Sequence, residues 1–136
     1  MFYEVLSKRI GADAKGNDKE YSERFIVENC MTCAEAEMKV LGFWNGENDV
    51  VSVKQSKIRE FINNKENDEQ GIFLAKLESV FIDEQTGEEK KTKYTIGLFS
   101  TSVEEATRLV VEYMKQGVEN LRLAAVKNTS FIELLK

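Results

Sequence analysis

Cys30 and Cys33 form a CxxC motif, a spacing that is typical of redox and metal chemistry. They stand at the predicted start of a helix, whose dipole lowers the pKa of a thiol. A redox dithiol of this type normally lies opposite a cis-proline, and the chain contains no proline. Zinc would need further ligands, which without histidine must be carboxylates or a second chain's cysteines. Because Thr32 is the better helix cap, we expect Cys33 to face the core, and we predict neither a metal nor a cofactor.

The carboxylates are numerous, but their spacing predicts no catalytic pair. Glu35 and Glu37 fall in the first turn of one predicted helix, and Glu104 and Glu105 in that of another, where they complement the dipole. Acid–base catalysis needs two carboxyl groups in different environments across a cleft. The absence of histidine also excludes conventional Ser-His and Cys-His nucleophiles. We therefore predict a protein that is not an enzyme and has no catalytic residues.

Two similar segments, TCAEAEMKVL from Thr32 and SVEEATRLVV from Ser102, predict two capped helices. In each segment a glutamate stands three positions after the hydroxyl residue, which is the spacing of a capping box, and the apolar residues follow a helical period. Helix N-termini bind anions readily. The candidate ligand-binding residues are therefore Thr32, Cys33, Ser102 and Val103.

The two segments lie 70 positions apart, and the apolar pattern matches elsewhere at the same offset. Phe2-Tyr3 falls on Ile72-Phe73, and Phe61-Ile62 falls on Phe131-Ile132. One constant offset over most of the chain indicates an internal duplication. We predict a single domain over residues 1–136, built from a first repeat (1–62), a polar linker (63–70) and a second repeat (71–136).

Each repeat is predicted to contain two strands, a helix, a third strand and a short terminal helix. The hairpin strands are expected over about Phe2–Ile10 and Tyr21–Glu28, and again over Ile72–Ile82 and Lys91–Phe99, where Gly87 supplies a positive φ in the turn. The predicted fold class is α+β, a duplicated β-β-α-β(-short α) unit with pseudo-two-fold symmetry. Two long helices would pack on mainly antiparallel sheet. The pattern leaves open whether the strands form one sheet or two.

The order of these patterns resembles an uncharacterised family. The shared features are FYEV opening a long polar hairpin, a T/S-x-x-E-A helix start and a valine-rich strand. This family is a domain of unknown function associated with Bacteroidetes bacteria and their tailed phages. The resemblance covers most of the chain and implies a small soluble protein. The association with phages implies in addition a phage-encoded protein that counters or modifies host machinery. It implies no catalytic residues, and the CxxC motif departs from it.

Charge and hydropathy narrow the possible partners. The net charge of −5 opposes binding to nucleic acids and anionic membranes. No apolar run has the length of a signal peptide or a membrane span, so we expect a soluble, cytoplasmic protein. Basic residues beside Tyr21 and Tyr94 nevertheless favour one alternative, single-stranded nucleic-acid binding by the hairpin faces. These residues are Lys8, Arg9, Arg24, Lys90, Lys91 and Lys93.

The remaining features favour a binding or assembly module whose partner is a protein or a small anionic ligand. Trp44, at the end of the first helix, either covers the core or anchors a partner. The third strands, Val50–Val53 and Leu121–Val126, have no proline and little inward charge, so an exposed edge would pair with a second copy. We therefore predict a homo-oligomer with Trp44, Val51 and Leu123 as contacts. The competing prediction is a monomer in which the terminal helices cover these edges.

Overall fold

The computed structural model describes residues 1–117 and 121–136, which form two helices and eight strands. The elements of the first half are β1 (Tyr3–Ala12), β2 (Asp18–Val27), α1 (Cys33–Phe43), β3 (Asn48–Gln55) and β4 (Ile58–Ile62). The elements of the second half are β5 (Gly71–Ile82), β6 (Glu89–Ser100), α2 (Val103–Lys115), β7 (Leu121–Asn128) and β8 (Phe131–Leu135). The fold is therefore mixed α and β, with two four-stranded sheets.

The chain divides into two compact units, each with one sheet and one helix. The first unit comprises Met1–Ser56 and Ser130–Lys136, with strand order β3-β1-β2-β8; the second comprises Lys57–Thr129, with order β4-β6-β5-β7. In each sheet, the two hairpin strands and the strand that follows the helix pair antiparallel. The fourth strand pairs parallel with its neighbour. Each sheet thus takes its fourth strand from the other half of the sequence.

The predicted short terminal helices are wrong, because both segments are strands. Ile58 opposite Thr95 begins the pairing of β4 with β6, and Phe131 opposite Arg24 begins that of β8 with β2. Each segment has five residues, which is little more than one helical turn. The few hydrogen bonds of so short a helix seldom offset the unfavourable free energy of nucleation. Pairing with an open strand satisfies the same backbone groups. The terminal segments consequently cover β2 and β6, and leave β3 and β7 as edges.

Both long hairpins form as predicted, and each helix packs on one face of its own sheet. Gly16 and Gly87 adopt positive φ angles of 80° and 70° in the two turns. Ala36 and Ala106, each fully buried, are the small residues through which the helices contact the sheets. The first core also contains Tyr3, Val5, Phe25, Val27, Cys30 and Val40, and the second also contains Phe73, Ala75, Leu77, Ile96, Leu98 and Val110.

The predicted constant offset of 70 is wrong beyond the helices. Val53 pairs with Val5, but Ala75, which lies 70 positions after Val5, pairs with Val126, so the third strands differ by 73. A longer helix contributes to the shift, since α2 has 13 residues and α1 has 11. An unpaired bulge residue interrupts both third strands, at Val51 in β3 and at Ala124 in β7. Val51 therefore corresponds to Ala124, and not to Leu121, the residue that the predicted offset of 70 would match with it.

Candidate functional site

The N-terminus of α1 is capped by its own side chains. The Thr32 hydroxyl accepts from the Glu35 N–H at 3.2 Å, and the Glu35 carboxylate accepts from the Met31 N–H at 3.3 Å. The predicted cap by Thr32 and Glu35 is thus present, although the Glu35 carboxylate reaches the N–H of Met31, one residue before the N-cap. Because a carboxylate of the chain already lies beside the exposed N–H groups, an external anion at Thr32 or Cys33 would be repelled.

The N-terminus of α2 has the same arrangement with further contacts. The Ser102 hydroxyl accepts from the Glu105 N–H at 3.1 Å, and the Glu105 carboxylate accepts from the hydroxyl and the N–H of Thr101. These hydrogen bonds, the hydroxyl's foremost, lower the pKa of Glu105. Val103, the first helical residue, is 45% exposed. The ligand-binding assignment of Thr32, Cys33, Ser102 and Val103 stays a prediction that this geometry does not favour.

The two cysteines occupy opposite environments, and the expectation that Cys33 faces the core is wrong. Cys30 is fully buried, and its Sγ lies 3.7 Å from the Glu28 carbonyl oxygen; Cys33 is exposed. The reason is that Cys33 opens α1 one turn before Ala36, the first helical residue that the sheet covers. Across the described residues, no cluster of His, Cys, Asp or Glu has the arrangement of a metal site.

Most of the basic hairpin residues face carboxylates. Nitrogen-to-oxygen distances are 3.4 Å for Lys8–Glu20, 2.7 Å for Arg9–Glu23, 3.4 Å for Arg24–Glu4, 2.9 Å for Lys90–Asp83 and 3.9 Å for Lys93–Glu78. The hydrogen bond from Lys90 lowers the pKa of Asp83. Lys91 has no such partner within the described ranges. Charge pairing of this kind leaves little positive potential on the hairpins for a nucleic-acid backbone.

The aromatic rings of the hairpins are covered by arginines. The Arg9 guanidinium lies 4.6 Å from the centroid of Tyr21 and 4.1 Å from that of Trp44, and Arg59 lies 4.4 Å from that of Tyr94. A nucleobase would have to displace an arginine in order to stack on these rings.

The three predicted contact residues lie in different settings. Trp44 packs against the first core together with Val50 and Val53, so its ring covers that core. Leu123 packs against the second core. Val51 is 53% exposed at the bulge of an edge strand. Bulges disrupt continuous edge pairing, so Val51 and Ala124 protect β3 and β7 from adding a further strand. The homo-oligomer stays a prediction.

A hollow of about 410 Å³ in the second unit combines concavity with unbalanced charge. We call it the lysine hollow; its lining is Lys57, Lys76, Leu77, Glu78, Lys93, Tyr94, Thr95 and Ala124. Strand register explains the assembly, since Lys76 lies opposite Thr95 and Glu78 opposite Lys93. Alternation places these four side chains on the sheet face away from α2, because Leu77 and Ile96 face the core.

The electrostatics of the lysine hollow are positive in a chain that is negative overall. Three lysines line it against one glutamate, whereas the whole chain has a net charge of −5. Glu78 lies 3.9 Å from Lys93, and in the described part of the chain Lys57 and Lys76 have no carboxylate partner. The corresponding face of the first sheet is balanced by the Arg24–Glu4 and Lys8–Glu20 pairs. Lys57 and Lys76 can therefore bind an anion without first breaking an ion pair.

Sequence reasoning found Lys93 but missed Lys57 and Lys76. The signal for Lys76 was its outward position in the predicted strand Ile72–Ile82, on the same face as a cross-strand Lys93. No local signal marked Lys57, because it reaches the hollow only through the pairing of β4 with β6. On the α2 side of the same sheet, Tyr113 donates a hydrogen bond to Glu60, and burial, followed by this bond, raises the pKa of Tyr113 to about 12.

Comparison with known proteins identifies the family and no activity. No curated protein and no solved structure matches the chain. Among the described residues, neither helix combines the length and the apolar character that crossing a bilayer requires. One family model matches residues 1–136, and the chain therefore belongs to the family described as domain of unknown function DUF4494.

Proposed function

We propose that this protein is a non-enzymatic binding module that holds a small anionic ligand in the lysine hollow. The observation that carries the proposal is the excess of lysine over glutamate in that one concave site, within an acidic chain. An uncompensated positive cluster costs stability through self-repulsion, which a bound anion relieves. An anion bound in the lysine hollow would therefore stabilise the fold.

The lining indicates the class of ligand. Lysine ammonium groups act as mobile point charges and suit phosphate or carboxylate groups without demanding a fixed fork geometry. Thr95 adds a hydroxyl that can donate or accept. The volume of about 410 Å³ falls within the range of small-molecule sites. A metabolite that carries two or more phosphate or carboxylate groups fits this lining best.

One observation favours single-stranded nucleic acid as the second candidate. Lys91 and Lys93 stand two positions apart on β6, so they share the outward face and extend the positive charge along the strand. A sugar-phosphate backbone could follow that line. Tyr94 weakens this candidate, because its ring lies on the opposite face of the sheet, where it packs against the second core under Arg59, and therefore offers no stacking surface beside these lysines.

Calorimetric titration with pyrophosphate, citrate and an oligothymidylate tests the proposal. We expect pyrophosphate and citrate to bind with affinities that fall as salt rises, and Lys57→Gln and Lys76→Gln each to weaken binding about fivefold or more. Lys54→Gln is the matched control, because Lys54 is an exposed lysine of β3 outside the lysine hollow. Failure of both small anions to bind, or equal losses in the control, would refute the proposal. Affinity that grows with oligonucleotide length would favour the second candidate.

We further infer that the two units arose by duplication of one segment. Helix caps and third-strand bulges at corresponding places, together with the same strand pairing in both sheets, support this inference. Exchange of the fourth strands is compatible with repeats of 1–62 and 71–136, because duplicated segments can trade identical elements. A protein partner, self-assembly, and the occurrence in Bacteroidetes bacteria and their phages that the resemblance implies remain predictions.

A further inference from the structure

The positive charge of the lysine hollow continues beyond its lining onto β7. Ala124, the bulge residue of β7, lines the hollow, and the exposed side chains of Arg122 and Lys127 stand on either side of the bulge. Leu123 and Val126 pack against the second core. Alternation along the strand therefore turns Arg122 and Lys127 to the face of the sheet away from α2, which is the face of the lysine hollow.

Strand register places these two cations in line with the lysines of the hollow. Lys76 lies opposite Thr95 of β6 on one side and opposite Ala125 of β7 on the other. Lys57 immediately precedes Ile58, which also lies opposite Thr95. Neighbouring strands lie about 4.8 Å apart, so the three spacings from β4 to β7 span about 14 Å. The cations on this line, which we call the basic belt, are Lys57, Lys76, Lys93, Arg122 and Lys127.

The basic belt is positive along its whole length. Among the described residues one carboxylate stands between its cations, that of Glu78, which lies opposite both Lys93 and Arg122 and 3.9 Å from the Lys93 ammonium group. Arg122 and Lys127 have no carboxylate partner within residues 1–117 and 121–136. The side chains of Ala124 and Ala125 are single methyl groups, so no large side chain separates the hollow from the cations of β7.

We propose that the ligand of the lysine hollow is a linear polyphosphate, which lies across the four strands along the basic belt. This inference rests on the proposed function, because the hollow supplies the central contacts, and it adds Arg122 and Lys127 as further ligands. A compact anion in the hollow reaches only the three lysines of its lining. A chain of phosphates carries charge on every unit and can therefore meet cations from each strand that it crosses.

Other polyanions fit the basic belt less well. In an extended acidic peptide alternate side chains point away from the sheet, so the carboxylates that face it are about 7 Å apart and too sparse for five cations within about 14 Å. A single-stranded nucleic acid gains much of its affinity from stacking of its bases on aromatic rings. The aromatic ring of the hollow's lining, that of Tyr94, lies on the α2 side of the sheet and offers no such surface.

Calorimetric titration of the whole chain tests the proposal. The probes are pyrophosphate, a medium-length linear polyphosphate, and polyglutamate and oligothymidylate of the same charge as the polyphosphate. We expect polyphosphate to bind about tenfold more tightly per chain than pyrophosphate, because each of two further exposed ion pairs adds about two- to fivefold. Its affinity should also fall more steeply with salt, because a larger number of contacts releases more counterions.

Substitutions on β7 separate the basic belt from the hollow. Arg122→Gln and Lys127→Gln should each weaken polyphosphate about two- to fivefold and pyrophosphate less than about twofold, because both residues lie outside the lining. The double variant should lose most of the tenfold gain, whereas a gain that came only from the many equivalent positions on a long chain would persist. Lys54→Gln on β3 is the control for loss of an exposed lysine. Lys91→Gln, further along β6 on the same face, should cost less than Lys127→Gln.

The contrary outcomes distinguish this inference from the proposed function. Failure of the small anions to bind overturns the lysine hollow and the basic belt together. Pyrophosphate binding without a gain for polyphosphate, or a gain that survives in the double variant, overturns the basic belt alone. Equal affinity for polyglutamate or oligothymidylate would overturn the assignment to polyphosphate. A larger loss in Lys91→Gln than in Lys127→Gln would place the ligand along β6 and not across the sheet.

Discussion

Replacement of Gly97 by alanine tests the pairing of β4 with β6, which joins distant parts of the chain. Gly97 lies opposite Phe61 in that pairing, and the Phe61 ring covers its backbone. An alanine Cβ at Gly97 would lie 2.4 Å from Cδ2 and Cε2 of the ring. Real carbon contacts do not approach so closely, so the ring or strand must move. The φ angle of Gly97 lies outside the left-handed region, so the cost is steric.

The magnitude follows from what the Phe61 ring would lose. Overpacking of this kind costs about 1–3 kcal/mol. Displacement also disturbs the edge-to-face contact between Phe61 and Phe99, whose centroids lie 5.3 Å apart, and such contacts are worth about 0.5–1.5 kcal/mol. We expect Gly97→Ala to lower the free energy of unfolding by about 2 kcal/mol, measured by urea denaturation with far-UV circular dichroism.

Two further variants separate steric overlap from a general effect of alanine. Gly71→Ala is the matched control in β5, because its Cβ would meet only Asn128 Oδ1 at 3.8 Å; it should be neutral or slightly stabilising. In a Phe61→Ala background, Gly97→Ala should cost less than about 0.5 kcal/mol, since the obstructing ring is gone. If Gly97→Ala alone is neutral, or costs as much without Phe61 as with it, β4 does not lie where the structure has it.

Three other predictions concern single side chains. Because the pKa of Tyr113 is about 12 in the fold and about 10 when unfolded, the fold gains stability from neutral Tyr113 below pH 10 and loses it as pH rises toward 12. Partial exposure of the ring reduces the expected loss of stability to about 1 kcal/mol. Tyr113→Phe should remove this pH-dependent part of the free energy of unfolding, and an unchanged dependence on alkaline pH would contradict the prediction. Trp44 should show blue-shifted emission and incomplete acrylamide quenching because it packs on the first core, whereas emission like that of free tryptophan would show an exposed ring. If the chain self-associates through the β3 edge, Val51→Lys should abolish the oligomer that light scattering detects, whereas Ala124→Lys, the corresponding bulge substitution in β7, should leave it intact. A mass of one chain for the unaltered protein at all micromolar concentrations would refute self-association.

The parts of the fold that local chemistry dictates could be predicted from the sequence. The cap formed by Thr32 and Glu35 lies within four consecutive residues. The turn at Gly87 likewise involves only the two strands that adjoin it. Alternation in the hairpins likewise depends on neighbouring residues. These features need no knowledge of distant partners.

The features that were predicted wrongly or missed depend on pairing between distant segments of the chain. Five apolar-rich residues from Ile58 read equally well as one helical turn or as a strand, and only the partner β6 decides between them. The exposure of Cys33 depends on where the sheet stops covering α1. The pairing of β4 with β6 that brings Ile58 into the sheet also brings Lys57 to the lysine hollow. Sequence spacing alone therefore could not predict this site.

The most direct test of the proposed function is an amide NMR titration of the isotopically labelled chain with pyrophosphate. Binding in the lysine hollow predicts saturable shifts concentrated at Lys76, Glu78, Lys93 and Thr95, with the amides of Glu35 and Glu105 at the helix caps unaffected. The Lys76→Gln variant should show the same pattern at weaker affinity. Shifts centred on the two helix caps, or no saturable shifts at all, would contradict the assignment of anion binding to the lysine hollow.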